Sequence, residues 1–363
     1  MHKTSTNLKP HLVKLGIVLL LAILVKCLAD YNRSIEQWYS TGIYPCIARL
    51  LRFAFGWLPF SLGDVFYILL VVAILVKLSR FFKDLFRRRL TGRLFLVKMV
   101  KLSTFLLVSY IVFYMFWGLN YYRKGIAFQL RIQKQPYSTQ ELLGLTEALA
   151  KKASNYRKEL SPGQFVMSHK DLFLKARAAY DSTFKTYPFL QYQNQSTKSS
   201  LFGAVGNYLG YTGYYNPFSG EAQINTATPP IVLPAVTCHE MAHQLGYATE
   251  DEANFVGYLA ASHSGDKVFL YSTYLDLYQY AASELYLRDS TQYLKARISL
   301  DTLVRKDIRD IRLFYLPYRT RVRKVVNAIY GEYLKYNNQP QGIDTYSDVV
   351  SLLMAYRKKY GRI

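Results

Sequence analysis

Three long apolar stretches dominate the first third of the chain. They cover residues 12–31, 58–77 and 100–119, and each approaches the roughly 20 residues with which a helix crosses a bilayer. No cleavage site of small residues closes the first stretch, so we expect an uncleaved membrane anchor. The second stretch has Asp64 near its start, and its uncharged centre is short for a span by itself. The pattern predicts a membrane region over residues 1–120.

The segment between the second and third stretches is strongly basic. Residues 77–101 carry nine lysines and arginines and one acid, Asp84. A nucleic-acid patch is one interpretation, but the position between two apolar stretches favours a cytoplasmic loop that follows the positive-inside rule. The net charge of +22, from 46 basic and 24 acidic residues, fits the same explanation. We therefore expect a lipid bilayer and no nucleic acid as partner, with everything after about residue 120 on the outer side.

Residues 121–363 contain no further run long enough to span a bilayer, and we expect them to form an extracytoplasmic domain. Most of this region shows the periodicity of helices, and Ser138 with Glu141 forms a capping-box pattern at the start of one of them. Segments rich in glycine and tyrosine predict two strands, 211–215 and 221–226, joined by a turn. The predicted fold class is a mainly α membrane protein with a mostly helical α+β domain and a small β-sheet. The pattern does not indicate which oligomeric state the protein has.

One short motif carries the candidate chemistry. It reads H-E-x-x-H over residues 239–243, within a predicted helix over 235–245 that is flanked by a proline and a glycine. Positions i and i+4 share one helix face, so His239 and His243 can direct two imidazole nitrogens at one metal ion. Glu240 is about a hundred degrees away around the helix, where it can reach a metal-bound water without ligating the ion. This spacing predicts a metal-dependent hydrolase.

A third ligand is expected among the acidic residues that follow the motif. A catalytic zinc site takes three protein ligands and keeps one position for water. Thr249 and Glu252 make a capping-box pattern. In it, the Glu252 carboxylate would accept a hydrogen bond from the backbone at the start of a helix and would not be a ligand. Glu250 and Asn254, four residues apart, would then share one face of this second helix, with Glu250 as ligand and Asn254 supporting a ligand. Glu252 is the alternative third ligand, and the combination of imidazole and carboxylate favours Zn²⁺.

These residues resemble the gluzincin pattern H-E-x-x-H … E-x-x-A-[DN]. In that metallopeptidase family the first glutamate of the second motif is the third zinc ligand, which corresponds to Glu250, although the loop before it is much shorter here than in most gluzincins. The full chain also resembles the DUF3810 family of bacterial membrane-anchored, zincin-like proteins. This likeness rests on the segments 59–64, 117–121, 216–222, 333–335 and 346–350. The resemblance implies a zincin-like domain with a peptidase-like site, located in the periplasm and anchored in the inner (cytoplasmic) membrane.

The motif and the resemblance together imply a membrane-anchored zinc metalloendopeptidase that acts on a peptide or protein substrate. Zn²⁺ bound by His239, His243 and Glu250 would lower the pKa of a water molecule and polarise the scissile carbonyl. Glu240 would act as general base and pass the proton to the leaving amine. The alternative is a non-catalytic, receptor-type signalling protein whose zincin-like domain binds metal. The intact Glu240 favours catalysis, because a structural site has no use for a general base.

Substrate contacts are expected from the two strands that precede the motif. The strand over 221–226, with Glu221 and Ala222, is a candidate edge to which an extended peptide adds by backbone pairing. Tyr214 and Tyr215, in the preceding strand, are candidates for a hydrogen bond to the oxyanion. A purely structural role is the competing interpretation for both pairs, since the chain contains 33 tyrosines.

Overall fold

The structure, a computed structural model, describes residues 7–30, 35–340, 342 and 348–363, so positions 346 and 347 of the segment 346–350 lie outside it. It is mainly helical with one small sheet, which confirms this part of the predicted fold class. Residues Ile35–Ile43 form a π-helical segment. The α-helices are α1 (Lys9–Asp30), α2 (Tyr44–Phe55), α3 (Leu62–Phe86), α4 (Gly92–Phe116), α5 (Gly125–Gln129), α6 (Thr139–Lys158), α7 (His169–Phe184), α8 (Gly203–Leu209), α9 (Leu233–Gln244), α10 (Glu250–Ser262), α11 (Lys267–Arg288), α12 (Ser290–Ile298), α13 (Thr302–Tyr315), α14 (Arg321–Tyr336) and α15 (Val349–Tyr360). The strands are β1 (Thr197–Ser199), β2 (Gly213–Asn216) and β3 (Glu221–Ile224).

Three helices, α1, α3 and α4, are long and apolar enough to cross a membrane, as predicted. Their bounds differ from the prediction. Helices α3 and α4 contain most of the basic segment 77–101, which was expected to be a loop, and only residues 87–91 separate them. Lysine and arginine favour helix, and Thr91 caps α4 by accepting a hydrogen bond from the Leu94 N–H at 3.3 Å. The basic residues therefore lie on the adjoining ends of α3 and α4 and in the turn between them.

The three apolar helices pack unevenly. Helices α1 and α4 lie against each other, and the buried face of α1 includes the small residues Ala22 and Ala29. By contrast, no residue in the most apolar 18-residue window of α3 is buried. Helix α3 contacts α4 near the turn that joins them, where the ring centroids of Phe81 and Phe95 are 6.4 Å apart. Over the rest of its apolar length, α3 presents its side chains outward.

The segments beside the apolar helices pack into the domain that follows them. Glu36, in the π-helical segment, pairs with Arg123 at 3.2 Å, and both side chains are buried. A buried apolar cluster also contains residues from both sides of the predicted boundary between 1–120 and 121–363. Its members are Val25, Ala29, Ile35, Tyr39, Tyr44, Ala48, Tyr114, Trp117, Leu119, Tyr121, Tyr122 and Ala248. Packing is therefore continuous across residue 120.

The larger core places α9 between helices and the sheet. Helix α6 packs along α11, while α7, α9 and α15 pack against α10, and the other side of α9 meets β2 and β3. The predicted capping box opens α6: the Glu141 N–H donates to Ser138 Oγ at 3.2 Å, and the Ser138 N–H donates to the Glu141 carboxylate at 2.7 Å. A buried ion pair between Arg157 and Asp307, at 2.5 Å, joins α6 to α13. These contacts fix α9 at the centre of the domain.

The sheet has the strand order β1–β3–β2, with β3 parallel to β1 and antiparallel to β2. Strands β2 and β3 correspond to the two predicted strands. Strand β1 has no predicted counterpart, since its three residues are too few to show a period. Because β3 is flanked on both sides, the predicted role of Glu221 and Ala222 as a free edge for substrate is wrong. Strand β2 is the edge strand that lies against α9.

Glu221 instead holds the start of α3. Its buried carboxylate accepts hydrogen bonds from the backbone N–H groups of Leu62 at 3.1 Å and Gly63 at 2.7 Å, which lack partners within their own helix. The Ser219 hydroxyl and the Gln223 amide donate to the same carboxylate, at 2.8 and 2.9 Å. A negative charge is favourable at a helix N-terminus. One side chain therefore joins the sheet to the second apolar helix.

Replacing Glu221 with alanine is expected to lower the free energy of unfolding by about 3 kcal/mol, because several buried donors lose their acceptor. Glu159→Ala is the matched control, since the Glu159 carboxylate is half exposed and pairs with Lys267 at the surface. Thermal unfolding of the full-length protein in detergent, followed by circular dichroism, measures both variants. Equal melting temperatures for the two would contradict this role of Glu221.

Candidate metal centre

Helix α9 presents two imidazoles on one face, as the motif predicts. Pro234 lies in its first turn, and Gly246 follows its end with a φ of +84°. The ring centroids of His239 and His243 are 4.8 Å apart. One possible ligand atom from each of His239, Glu240 and His243 lies within 4.8 Å of the other two. The helix therefore gathers two nitrogen donors and one carboxylate.

Glu250, the first residue of α10, brings a second carboxylate to the same point. Its Oε2 lies 3.2 Å from His239 Nε2 and 3.7 Å from His243 Nε2. Its Oε1 accepts a hydrogen bond from the Tyr330 hydroxyl at 2.6 Å. Helix α10 approaches α9 closely at Gly257, where a Cβ would lie 3.1 Å from the His239 backbone nitrogen. Of the two candidate acids, the structure places Glu250 at the imidazoles.

Glu252 is engaged elsewhere. Its carboxylate accepts a hydrogen bond from the Ile126 N–H at 2.8 Å, in the first turn of α5. Thr249 makes no side-chain cap, so the predicted capping box between Thr249 and Glu252 is wrong. Burial and the neighbouring Asp251 raise the pKa of Glu252 to about 7. Glu252 thus connects α10 to another helix.

Each imidazole is oriented through its second ring nitrogen. His239 Nδ1 lies 2.7 Å from Asn254 Oδ1, and His243 Nδ1 lies 2.7 Å from the Tyr247 carbonyl oxygen. Both partners are acceptors, so each Nδ1 carries a proton and each Nε2 is the ring nitrogen that can bind an ion in its deprotonated form. Asn254 lies one turn after Glu250, at the position where the sequence predicts support for a ligand.

The pKa values at the site reflect opposing effects of burial and charge. Burial raises the pKa of Glu240 to about 7. Burial disfavours the charged form of His239, but the adjacent carboxylates of Glu250 and Glu240 outweigh it and raise the pKa of His239 to about 9. Burial also acts against the charged form of Glu250, yet the two imidazoles hold its pKa well below the ordinary range. A negative potential therefore surrounds the imidazole nitrogens.

The residues present fit a bound divalent cation. Among the described residues, Glu240 Oε2 and Glu250 Oε2 are buried side-chain oxygens without a hydrogen-bond partner. A buried, unpaired carboxylate oxygen is costly, and a cation between these groups offsets the cost. Two Nε2 atoms, from His239 and His243, with one carboxylate oxygen from Glu250 are the donor set of a catalytic zinc site.

Strand β2 passes directly beside Glu240. A Cβ on Gly213, the first residue of β2, would lie 2.5 Å from Glu240 Oε1. A side chain at this position would displace the carboxylate, so glycine is required for the close approach. The backbone of an edge strand is thereby brought next to Glu240.

The hydroxyls of Tyr214 and Tyr215 bind groups outside the metal centre. The Tyr214 hydroxyl donates to Asp64 Oδ1 in the first turn of α3. The Tyr215 hydroxyl accepts a hydrogen bond from the Tyr44 hydroxyl at 3.3 Å. Both hydroxyls are thus directed toward residues at the starts of α2 and α3, and the oxyanion role of these two tyrosines stays a prediction.

Tyr330, from α14, is the tyrosine that reaches a candidate ligand, and sequence reasoning did not identify it. It lies 80 positions from Glu250 in the chain, and nothing distinguishes it from the other tyrosines of a chain that has 33. Its position depends on the tertiary packing that brings α14 to the start of α10.

Side chains from the segments beside the membrane satisfy the last carbonyls of α9. Trp117 Nε1 donates to the His243 carbonyl at 3.2 Å, and its ring centroid lies 6.0 Å from that of His243. Arg52 Nη1 and the Tyr44 hydroxyl both donate to the Gln244 carbonyl at 3.0 Å. The positive charge of Arg52 is favourable at the negative end of a helix. The candidate metal centre is thus supported by residues that lie next to the apolar helices.

Replacing Asn254 with alanine is expected to weaken zinc binding about 10–100-fold, because His239 loses the acceptor that orients its ring. Asn155→Ala, at an exposed position of α6, is the matched control. Competition with a chelator of known affinity measures the dissociation constant of each variant. If both variants hold zinc equally tightly, the hydrogen bond from His239 to Asn254 has no part in metal binding.

The chain belongs to the family described as "Protein of unknown function (DUF3810)", whose model matches residues 39–354. The match covers α3, α4 and the whole candidate metal centre, and it confirms the predicted membership of the DUF3810 family. No curated protein and no solved structure was found to match the chain. The family description names no activity, so the functional argument rests on the geometry of the site.

Proposed function

We propose that this protein is a membrane-anchored zinc metallopeptidase that hydrolyses peptide bonds. The observation that carries the proposal is the approach of Glu250 to the Nε2 atoms of His239 and His243, with Glu240 beside them. The unpartnered Oε2 of Glu240 supports catalysis over a purely structural site, because that oxygen has no acceptor role in the fold. We also propose that the sheet, α9 and α10 form a zincin-like unit, which the two sequence motifs support.

His239, His243 and Glu250 would hold the zinc ion. When bound, Zn²⁺ lowers the pKa of a water molecule and polarises a carbonyl oxygen. Glu240, with a pKa raised to about 7, accepts the proton of the attacking water and returns it to the leaving amine. A base with a pKa near the working pH suits both transfers.

The edge of β2 is the proposed binding site for an extended peptide. Backbone pairing with an edge strand gives affinity without demanding a particular sequence. Gly213 leaves no side chain between this strand and Glu240, so a peptide paired with β2 would lie next to the general base. Strand β2 therefore takes the substrate role that the sequence pattern assigned to β3.

We further propose that the metal centre faces the periplasm of a bacterium, with the spans in the inner membrane. The support is the charge pattern: the basic residues of 77–101 cluster where α3 and α4 are joined, whereas the metal centre adjoins the opposite end of α4 at Trp117. Basic ends of spans face the cytoplasm.

The test requires the full-length protein, because Arg52 and Trp117 hold the end of α9. Purified in detergent, it is expected to retain about one zinc per chain and to cut peptides of a degenerate library. A preparation that holds no stoichiometric metal after zinc loading would overturn the proposal. Zinc binding without cleavage of any peptide would favour the receptor-type alternative.

A further inference from the structure

The candidate metal centre lies at the end of a membrane span. Trp117 is the residue directly after α4, and it contacts His243 through both its ring and its Nε1. No linker therefore separates the span from a proposed metal ligand. A site in this position can act on a polypeptide only close to the surface of the bilayer.

Helix α3 offers an unoccupied apolar surface beside this site. Among the described residues, its most apolar window has none that is buried. Its contacts with α4 extend from the far end, where Asp84 pairs with Lys98 at 2.7 Å, as far as Lys77, which lies 5.7 Å from the Phe105 ring centroid. At the near end, Glu221 and Asp64 attach α3 to the sheet rather than to another span. Between its two ends α3 is free to contact a further membrane segment.

Strand β2 connects this helix to the general base. Gly213, at one end of β2, adjoins Glu240, and Asn216, at the other end, adjoins Gly63 in the first turn of α3. Four extended residues cover about 13 Å at roughly 3.3 Å each. A peptide paired with the outer edge of β2 would therefore lead from the membrane end of α3 to Glu240.

We propose that the substrate is a membrane-anchored polypeptide that is cut about four to six residues from the point where it leaves the bilayer. Its membrane segment lies along the free side of α3, and the residues just outside the bilayer pair with β2. Water adds across the amide bond, with its oxygen bound to the carbonyl carbon and a proton transferred to the leaving amine. The proposal rests on the peptidase function proposed above, for which it names the class of substrate.

The first experiment uses the full-length, zinc-loaded protein in liposomes. One pool of substrates consists of single-span polypeptides whose segment outside the bilayer, about 30 residues long, is randomised; a second pool has the same segment without a span. Mass spectrometry maps the cut sites. We expect cuts concentrated about four to six residues from the bilayer and at least a tenfold faster loss of the anchored pool.

The outcomes separate this inference from the proposed function. Cuts spread evenly along the segment, or equal cleavage of both pools, would overturn the inference and leave the peptidase function intact. Absence of cuts in both pools would overturn both.

A second experiment tests the free side of α3 without relying on cleavage. Benzoylphenylalanine is placed at Leu69 of α3, or at Leu20 of α1 as the matched control; their exposed fractions are 63% and 69%. With Glu240→Gln in the same chain, irradiation in the presence of the anchored pool is expected to give an adduct from Leu69 and none from Leu20. An adduct with a second copy of this chain or with lipid alone would overturn the inference.

Discussion

Replacing Glu240 with glutamine is expected to lower kcat by about 10²–10⁴-fold while the protein keeps its zinc. Glutamine has nearly the same shape as glutamate but cannot take a proton from the attacking water. Glu240 makes no contact on which the two imidazoles depend: His239 is oriented by Asn254, and His243 by the Tyr247 carbonyl. Initial rates on the anchored polypeptides and elemental analysis of the purified variant measure the two quantities.

Glu159→Gln is the control for Glu240→Gln, since it makes the same chemical change at a half-exposed position. Its rate should equal that of the wild type. A Glu240→Gln protein that retains full activity would mean that another group serves as base, and one that loses its zinc would place Glu240 among the ligands.

Glu250→Gln is expected to weaken zinc binding by more than about 100-fold, a larger loss than that produced by groups which only orient ligands. The change removes the anionic oxygen that faces both imidazoles at 3.2 and 3.7 Å. Glu252→Gln is the matched control two residues away: it keeps an oxygen to accept from Ile126 N–H, and zinc affinity should be unchanged. Chelator competition distinguishes the two variants.

The opposite effect of the two substitutions on zinc binding would identify a different third ligand. If Glu252→Gln released zinc and Glu250→Gln retained it, the start of α10 would turn differently around the ion, and Glu252 would be the third ligand. Loss of zinc from both variants, with normal melting temperatures, would show that both acids bind the ion.

The sequence predicts which of these side chains share a helix face, because that geometry is local. The i, i+4 spacing places His239 and His243 on one helix face whatever the remainder of the chain does, and the same spacing applies to Glu250 and its amide neighbour. The role of Glu252 is not local. Its partner, Ile126, lies 126 positions earlier, and no periodic pattern reports a contact of that kind.

In the long apolar helices and the sheet, too, the sequence predicts local features but not contacts between distant residues. Apolar composition is sufficient to predict three long helices, but not that α3 and α4 continue through the basic segment to a turn at 87–91. Strand order depends on β1, which has three residues and pairs with β3 at a distance in sequence. The Tyr214 hydroxyl is likewise bound to Asp64, 150 positions away, so its role followed from tertiary packing alone.

The support of α9 by Trp117, Arg52 and Tyr44 places the assembly of the candidate metal centre late in the folding of the chain. These partners lie 126, 192 and 200 positions before the carbonyls that they satisfy. Contacts between such distant positions form late, because most of the chain must be ordered first. The three long apolar helices, which end by residue 116, are therefore synthesised completely before the residues of the candidate metal centre can come together.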